Sequence, residues 1–155
     1  MKEQALVNGY VRAELFEGEE LVGIWDTTNF VTDVGLKHIA GAMGQSPTDM
    51  GWIGVGTGTG QTKASTTLDT DQVHQALLAG YPDRTASPPD NVTVFKATLA
   101  AGVGTGTLTE GGVFNNASVD TGTLLNYWNF TPPIDKSGTQ SLTITLSLEI
   151  GNLGS

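Results

Sequence analysis

Between residues 142 and 150 the chain alternates without a break. Leu142, Ile144, Leu146, Leu148 and Ile150 are separated by Thr143, Thr145, Ser147 and Glu149. Side chains on a strand point to opposite faces with period two, so this segment predicts a strand with one buried and one wet face. Such a strand belongs in an antiparallel sheet, centrally or at a long edge, packed on a second layer. Gly supplies 21 of the 155 residues, about twice the usual share, which predicts short strands joined by tight turns. Hydrophobic residues at 38% and charged residues at 15% describe a folded chain rather than a disordered one. The length suits one domain with one core, taken as residues 1–155 with a short N-terminal arm, Met1 to Val7. The expected fold is all-β: an antiparallel, jelly-roll-like β-sandwich with one short α-helix near residues 33–43.

The other elements follow from the same periodicities. Residues 5–17 read as a strand, Gly18-Glu19-Glu20 as a turn, and Leu21 to Asp26 as the returning arm of a hairpin. From Thr32 to Met43 a helix is expected. Thr32 or Asp33 caps it, Leu36, Ile39, Ala40 and Met43 fall at helical spacing, and Gly44 stops it. Met50 to Val55 reads as a short buried strand running into a mobile glycine turn, residues 54–60. Residues 61–90 resist assignment beyond a short strand near Val73 to Leu78, and Pro82, Pro88 and Pro89 favour loop. Asn91 to Ala100, Thr105 to Phe114 and Thr123 to Phe130 are further strands, and Pro132-Pro133 is expected to break the chain before the last one. The string Gly-Val-Gly-Thr-Gly-Thr occurs at 54–59 and at 102–107, but its flanks differ, which favours coincidence over duplicated hairpins.

Charge and composition narrow the function classes. Sixteen acidic against seven basic side chains give a net charge of −9, which repels phosphate backbones and anionic membranes. A neutral or basic protein partner remains compatible. The absence of cysteine removes disulfides, thiolate metal sites and cysteine nucleophiles. The first twenty residues contain no apolar core of a signal peptide, and no apolar run reaches membrane-spanning length, so a soluble protein is expected.

Motifs for chemistry fail on spacing. From Gly54 the sixth position is Thr59, not the glycine of a dinucleotide fingerprint, and Lys63 lies between Thr62 and Ala64, not in a phosphate loop. Of the two histidines, His38 is expected to face solvent. His74 follows Asp69 and Asp71, a group that could hold a metal or act as an acid–base pair, or could equally start a turn or cap a helix. The structural alternative is favoured because no second cluster completes the ligand set. Calcium near Asp69 and Asp71 lacks the usual loop signature, and Glu110 and Asp120 are the carboxylates open to a glycosidase role. No catalytic residue, metal site or cofactor is assigned. Trp25, Trp52 and Trp128, with Tyr127 and Phe130, are candidates for a sugar-stacking platform. Asn91, Asn116 and Asn129 begin Asn-x-Ser/Thr triplets, which matter only in a eukaryotic secretory setting.

An ordered series of motifs covers about two-thirds of the chain. It runs from Trp52-Ile53-Gly54-Val55-Gly56-Thr57-Gly58-Thr59 through Thr67-Leu68 and the strand Val92 to Leu99. Leu108-Thr109-Glu110-Gly111-Gly112-Val113-Phe114-Asn115 and Thr123-Leu124-Leu125 follow. Phe130-Thr131-Pro132-Pro133-Ile134, Lys136 and Ser141-Leu142-Thr143-Ile144-Thr145 complete it. In this order the series resembles a family of small bacteriophage virion structural proteins, variously head decoration or tail-fibre-like. The resemblance implies a non-enzymatic protein of the virion, made in the bacterial host cytoplasm. A capsid decoration, or cement, protein is favoured, because the chain lacks the heptads or fibrous repeats of a shaft. Its implied partners are the major capsid protein and itself, as a homodimer or homotrimer. Leu6, Val7, Tyr10, Phe16, Trp25, Tyr127 and Trp128 are the expected contact residues. The alternatives are a tail fibre, baseplate or adaptor protein, and a carbohydrate-binding module that takes host glycan.

Overall fold

The alternating segment is a strand and lies inside a sheet. The computed structural model describes residues 5–45, 47–84 and 91–152. In chain order the strands are β1 (Ala5–Glu17), β2 (Glu20–Thr28) and β3 (Phe30–Val31), followed by the helix α1 (Asp33–Ala42). Then come β4 (Trp52–Gly56), β5 (Asp71–Ala76), β6 (Val92–Leu99), β7 (Gly106–Phe114), β8 (Leu124–Lys136) and β9 (Gln140–Asn152). They form two antiparallel sheets: sheet A in the order β2-β1-β9-β6 and sheet B in the order β3-β8-β7-β4-β5. The protein is thus an all-β sandwich with a single short helix among the described residues. The outer pairs nest, β1 with β9 and β3 with β8, while β4–β5 and β7–β8 are simple hairpins.

One face of sheet A supplies half of the core. Leu142, Ile144, Leu146 and Leu148 of β9 meet Val11, Ala13 and Leu15 of β1 and Phe95, Ala97 and Leu99 of β6. From sheet B come Ile53, Val55, Leu108, Val113, Trp128, Phe130 and Ile134. Burying this apolar surface, at roughly 25 cal/mol per Å², is the main force holding the two sheets together.

Several expectations are corrected. Ala5 to Val7 are not a free arm: they begin β1 and pair with Asn152 to Ile150 of β9. Met1 to Gln4 lie outside the described residues. Pro132-Pro133 does not end β8, which continues to Lys136. Leu108 is paired with Ile134 and Glu110 with Asn129, so Phe130 to Pro133 bulge out against Thr109. The prolines lack an N–H for the ladder, and they sit where the ladder is already interrupted. The helix meets its sheet differently from the expected apolar stripe. Leu36 and Met43 are 47% and 86% exposed, and the residue it buries is Gly35. A Cβ on Gly35 would stand 2.0 Å from the carbonyl oxygen of Leu125 on β8, so the helix approaches the sheet with its backbone. Thr32 caps the helix by accepting from the Gly35 N–H at 2.9 Å, and its hydroxyl donates to the Leu124 carbonyl.

The two Gly-Val-Gly-Thr-Gly-Thr strings differ in conformation. At 54–59 the chain is the end of β4 (to Gly56) and the first residues of the loop after it, with no glycine at positive φ. At 102–107 Gly102, Gly104 and Gly106 have φ of 79°, 59° and 113°, as a turn between β6 and β7 requires.

Candidate interaction surface

The centre of sheet B, where β8, β7 and β4 run side by side, is buried on both faces. Its inner face joins the core. Its outer face carries a second cluster, Leu68, Phe114, Leu124 and Tyr127, with Trp52 packed against it. Leu68 arrives on the 57–70 loop, which also accepts the N–H of Asp33 at the Lys63 carbonyl, 2.8 Å away. This second layer explains why Glu110 to Phe114 of β7 and Leu124 to Trp128 of β8 are buried at every position and show no alternation.

Within that layer the glycine segment is held in place, contrary to the expected mobile turn. Glu110 is fully buried, and its carboxylate accepts from the backbone N–H groups of Gly58, Asp69 and Thr70 at 2.7–2.9 Å. The Thr109 hydroxyl donates to the Gly58 carbonyl, and Asp69 accepts from Thr59 and Gly60. A buried carboxylate is tolerable when charge-assisted bonds replace its water, and three converging N–H groups do so. Gly56 is required here, since a Cβ would lie 2.2 Å from the Thr70 carbonyl oxygen. Glu110 and Asp69 are therefore engaged in holding the loop. The signal for Glu110 was a lone acid in a glycine-rich, otherwise apolar strand, which sequence reasoning recorded only as a possible catalytic carboxylate.

The Asp71–His74 pair does form. His74 Nε2 is 2.8 Å from Asp71 Oδ2, and both side chains are shielded from solvent. Asp69 is turned away to its own loop, so the three residues do not converge. Among the described residues no group of three or more His, Asp or Glu is placed to hold a metal ion. His38 is partly buried rather than free in solvent, and burial pushes its pKa down against the opposing charge of Asp49. Lys136, which the sequence offers only as a member of the motif series, is almost completely buried. Its ammonium donates to the Ala100 carbonyl at 3.0 Å, and burial lowers its pKa.

The aromatic platform is not assembled. Trp128 is fully buried against Phe130 in the core, and Tyr127 belongs to the second cluster with Trp52. Trp25 is opposite Ala13 and packs against the core from its margin. As surface contacts Trp128 and Tyr127 are thereby corrected, because β8 runs between two apolar layers. Val7 also packs against the core, and Leu6 is placed only by its backbone pairing with Gly151.

Among the described residues sheet A is covered on one face only, and this asymmetry defines the candidate surface. Opposite the core side, β1 presents Tyr10, Arg12, Glu14 and Phe16 beside Thr28, Asp26, Ile24 and Leu21 of β2. The face continues through Thr145 and Thr143 of β9 to Lys96 and Thr98 of β6, where the Thr98 and Thr143 hydroxyls bond at 2.9 Å. Arg12 and Tyr10 both donate to Asp26, at 2.8 and 2.6 Å. The Arg12 hydrogen bond, with that of Tyr10, holds the Asp26 carboxyl below its usual range, and the same pairing raises the Arg12 pKa. The pair is solvent-exposed and orders the face more than it stabilises the fold. Leu21 and Ile24 on this face, and the bulged Val22 beside them, are 43%, 48% and 47% exposed. Residues 78–83 line the β6 edge, with Leu78 bonded to Lys96 and Asp83 to Val94. β2 is the other edge of the sheet. Beside the face, near the start of β1, lies a groove of about 750 Å³ lined by Tyr10, Phe30, Leu36 and Lys63 among others.

Fold and surface together define the class: an antiparallel β-sandwich in which, among the described residues, one sheet is covered on both faces at its centre and the other is bare on its outer face. Compared with known protein families, curated proteins and solved structures, the chain matches none of them.

Proposed function

We propose that this protein is a non-enzymatic structural protein of a bacteriophage virion, a decoration protein that seats its bare sheet face on the outside of the major capsid shell. The observation that carries the reading is the asymmetry of the two sheets. Leu68 of the 57–70 loop and the helix α1 cover sheet B, while the open face of sheet A keeps Tyr10, Phe16, Leu21 and Ile24 together at its β1–β2 side. Exposed apolar side chains grouped on a flat, ordered face suit a protein partner. The ordered motif series from Trp52 to Thr145 supports the virion setting. Glu110, one of the two carboxylates open to a glycosidase role, and Asp69, from the group around His74, are occupied by backbone N–H groups, which favours a structural role for both.

A decoration protein stabilises its shell by binding the assembled state and not the dissociated subunits, so its effect follows mass action. Binding as a dimer or trimer on a capsid axis would multiply each weak contact. The deciding experiment separates purified heads from tails and quantifies this protein in each against the major capsid protein. Abundant copies on heads support the proposal. A few copies confined to tails would overturn it in favour of a fibre, baseplate or adaptor, and absence from both would remove the virion reading.

A further inference from the structure

Both ring nitrogens of His74 face oxygen. Nδ1 lies 2.7 Å from the backbone carbonyl of Asn116, and Nε2 lies 2.8 Å from Asp71 Oδ2. A carbonyl only accepts, and so does an ionised carboxylate. A neutral imidazole has one N–H and one lone pair, so it satisfies one contact and turns its lone pair on an oxygen in the other. The imidazolium donates to both. Asp71 Oδ2 also accepts the backbone N–H of Asp120 at 2.9 Å. Asp120 holds a left-handed backbone (φ 56°), a region most residues avoid. The 115–123 loop is thus tied to β5 at Asn116 and at Asp120, and both ties run through the His74–Asp71 pair.

We propose that His74 is a proton-operated latch: as the imidazolium it holds the 115–123 loop on β5, and losing its proton releases that loop. The ring has no room to turn away. It stacks on Phe114 of β7 at 4.0 Å, and a Cβ on Gly54 of β4 would come within 2.9 Å of its Cδ2. The charged groups facing it are Asp71 on its own strand and Asp120 on the loop, both acidic. Burial lowers the His74 pKa. The bonds to Asp71 and Asn116, with the charges of Asp71 and Asp120, outweigh burial, and the net direction is up. A folded-state value raised above the unfolded one of about 6.5 gives a contribution complete at lower pH. That contribution fades as the pH rises through the folded-state value, so the loop is held in acid and freed in alkali. This device is independent of which particle surface the protein binds.

The test uses the whole protein. With only two histidines, imidazole NMR follows each, and His38, shifted the other way, is the internal reference. His74 is expected to carry protons on both nitrogens at about pH 6 and to titrate above His38. Over that titration the amides of residues 116–123, corrected for intrinsic exchange, should lose about tenfold or more in protection. In His74→Gln their protection should no longer vary with pH. A neutral His74 ring at the acid end, or loop protection unchanged across its titration, overturns the proposal. If His74→Gln does not fold, Asp71→Asn decides: the His74 titration should move down, and an unmoved titration overturns the latch.

Discussion

Two buried polar side chains, Glu110 and Thr32, do work at the scale of single residues that their neighbours in sequence do not announce. Glu110 gathers three N–H groups from the 57–70 loop. In Glu110→Gln the amide keeps an acceptor for two of them but turns an N–H toward the third. We expect a loss of about 1–3 kcal/mol, read as a lower urea midpoint with unchanged m-value. An unchanged midpoint would mean that Leu68, Asp69 and Thr109 hold the loop without the Glu110 carboxylate. Thr32 links the helix start to β8 by capping Gly35 and bonding Leu124. Thr32→Val, equal in shape, should cost about 1–2 kcal/mol, and Thr32→Ser should restore most of it. If Thr32→Val melts like the parent while Thr32→Ser is destabilised, the methyl group and not the hydroxyl carries the effect. Thr32 was legible as a cap because the residue type and its place before an apolar period are both local. The role of Glu110 was not, since its partners lie 40 to 52 positions earlier in the chain.

For the elements, legibility followed burial. β9 and β6 are wet on one face, so their alternation survives in the sequence and both were found. The middle of β7 and β8 lies between two apolar layers, so residues of both faces, Glu110 and Asn126 among them, are buried in succession and period two disappears. Their existence could be read, but not the extension of β8 past its prolines, because a bulge is a property of the pairing. The helix was placed correctly, and of its expected stripe Ile39 packs against the core while Leu36 and Met43 are exposed and Gly35 makes the close approach. Two effects oppose each other at Gly35. Alanine favours a helix interior by about 1 kcal/mol over glycine. Against that, a Cβ would meet backbone at 2.0 Å, and overpacking of this kind costs about 1–3 kcal/mol. The neighbouring atom is a carbonyl oxygen that cannot rotate away, so we expect Gly35→Ala to be destabilising. A rise in Tm would show that the helix can step back from β8.

On the scale of the whole molecule, the consequence is an unequal pair of sheets. The loops and helix that sequence analysis treated as connections build a third layer, and that layer selects which sheet remains open. If the open face of sheet A seats on a capsid, Ile24→Arg should weaken binding to undecorated heads by tenfold or more, the cost of about 1.4 kcal/mol. Stability should change by no more than about 0.5 kcal/mol, because Ile24 is half exposed at a sheet edge. Pelleting with purified heads measures the first quantity and thermal unfolding the second. Full binding by a folded Ile24→Arg protein would move the contact off this face.

The sequence alone determined that the chain is an all-β sandwich, because period two, glycine turns and helix caps are written over a few consecutive residues. It also singled out Tyr10 and Phe16, both of which stand on the open face. Only the tertiary structure decided that Trp128 and Tyr127 are interior, that Glu110 is a clamp, and that His74 bridges two segments. Each of these depends on which distant strand or loop lies opposite. That choice follows from sheet order and from the burial of a second apolar layer, which no local periodicity encodes.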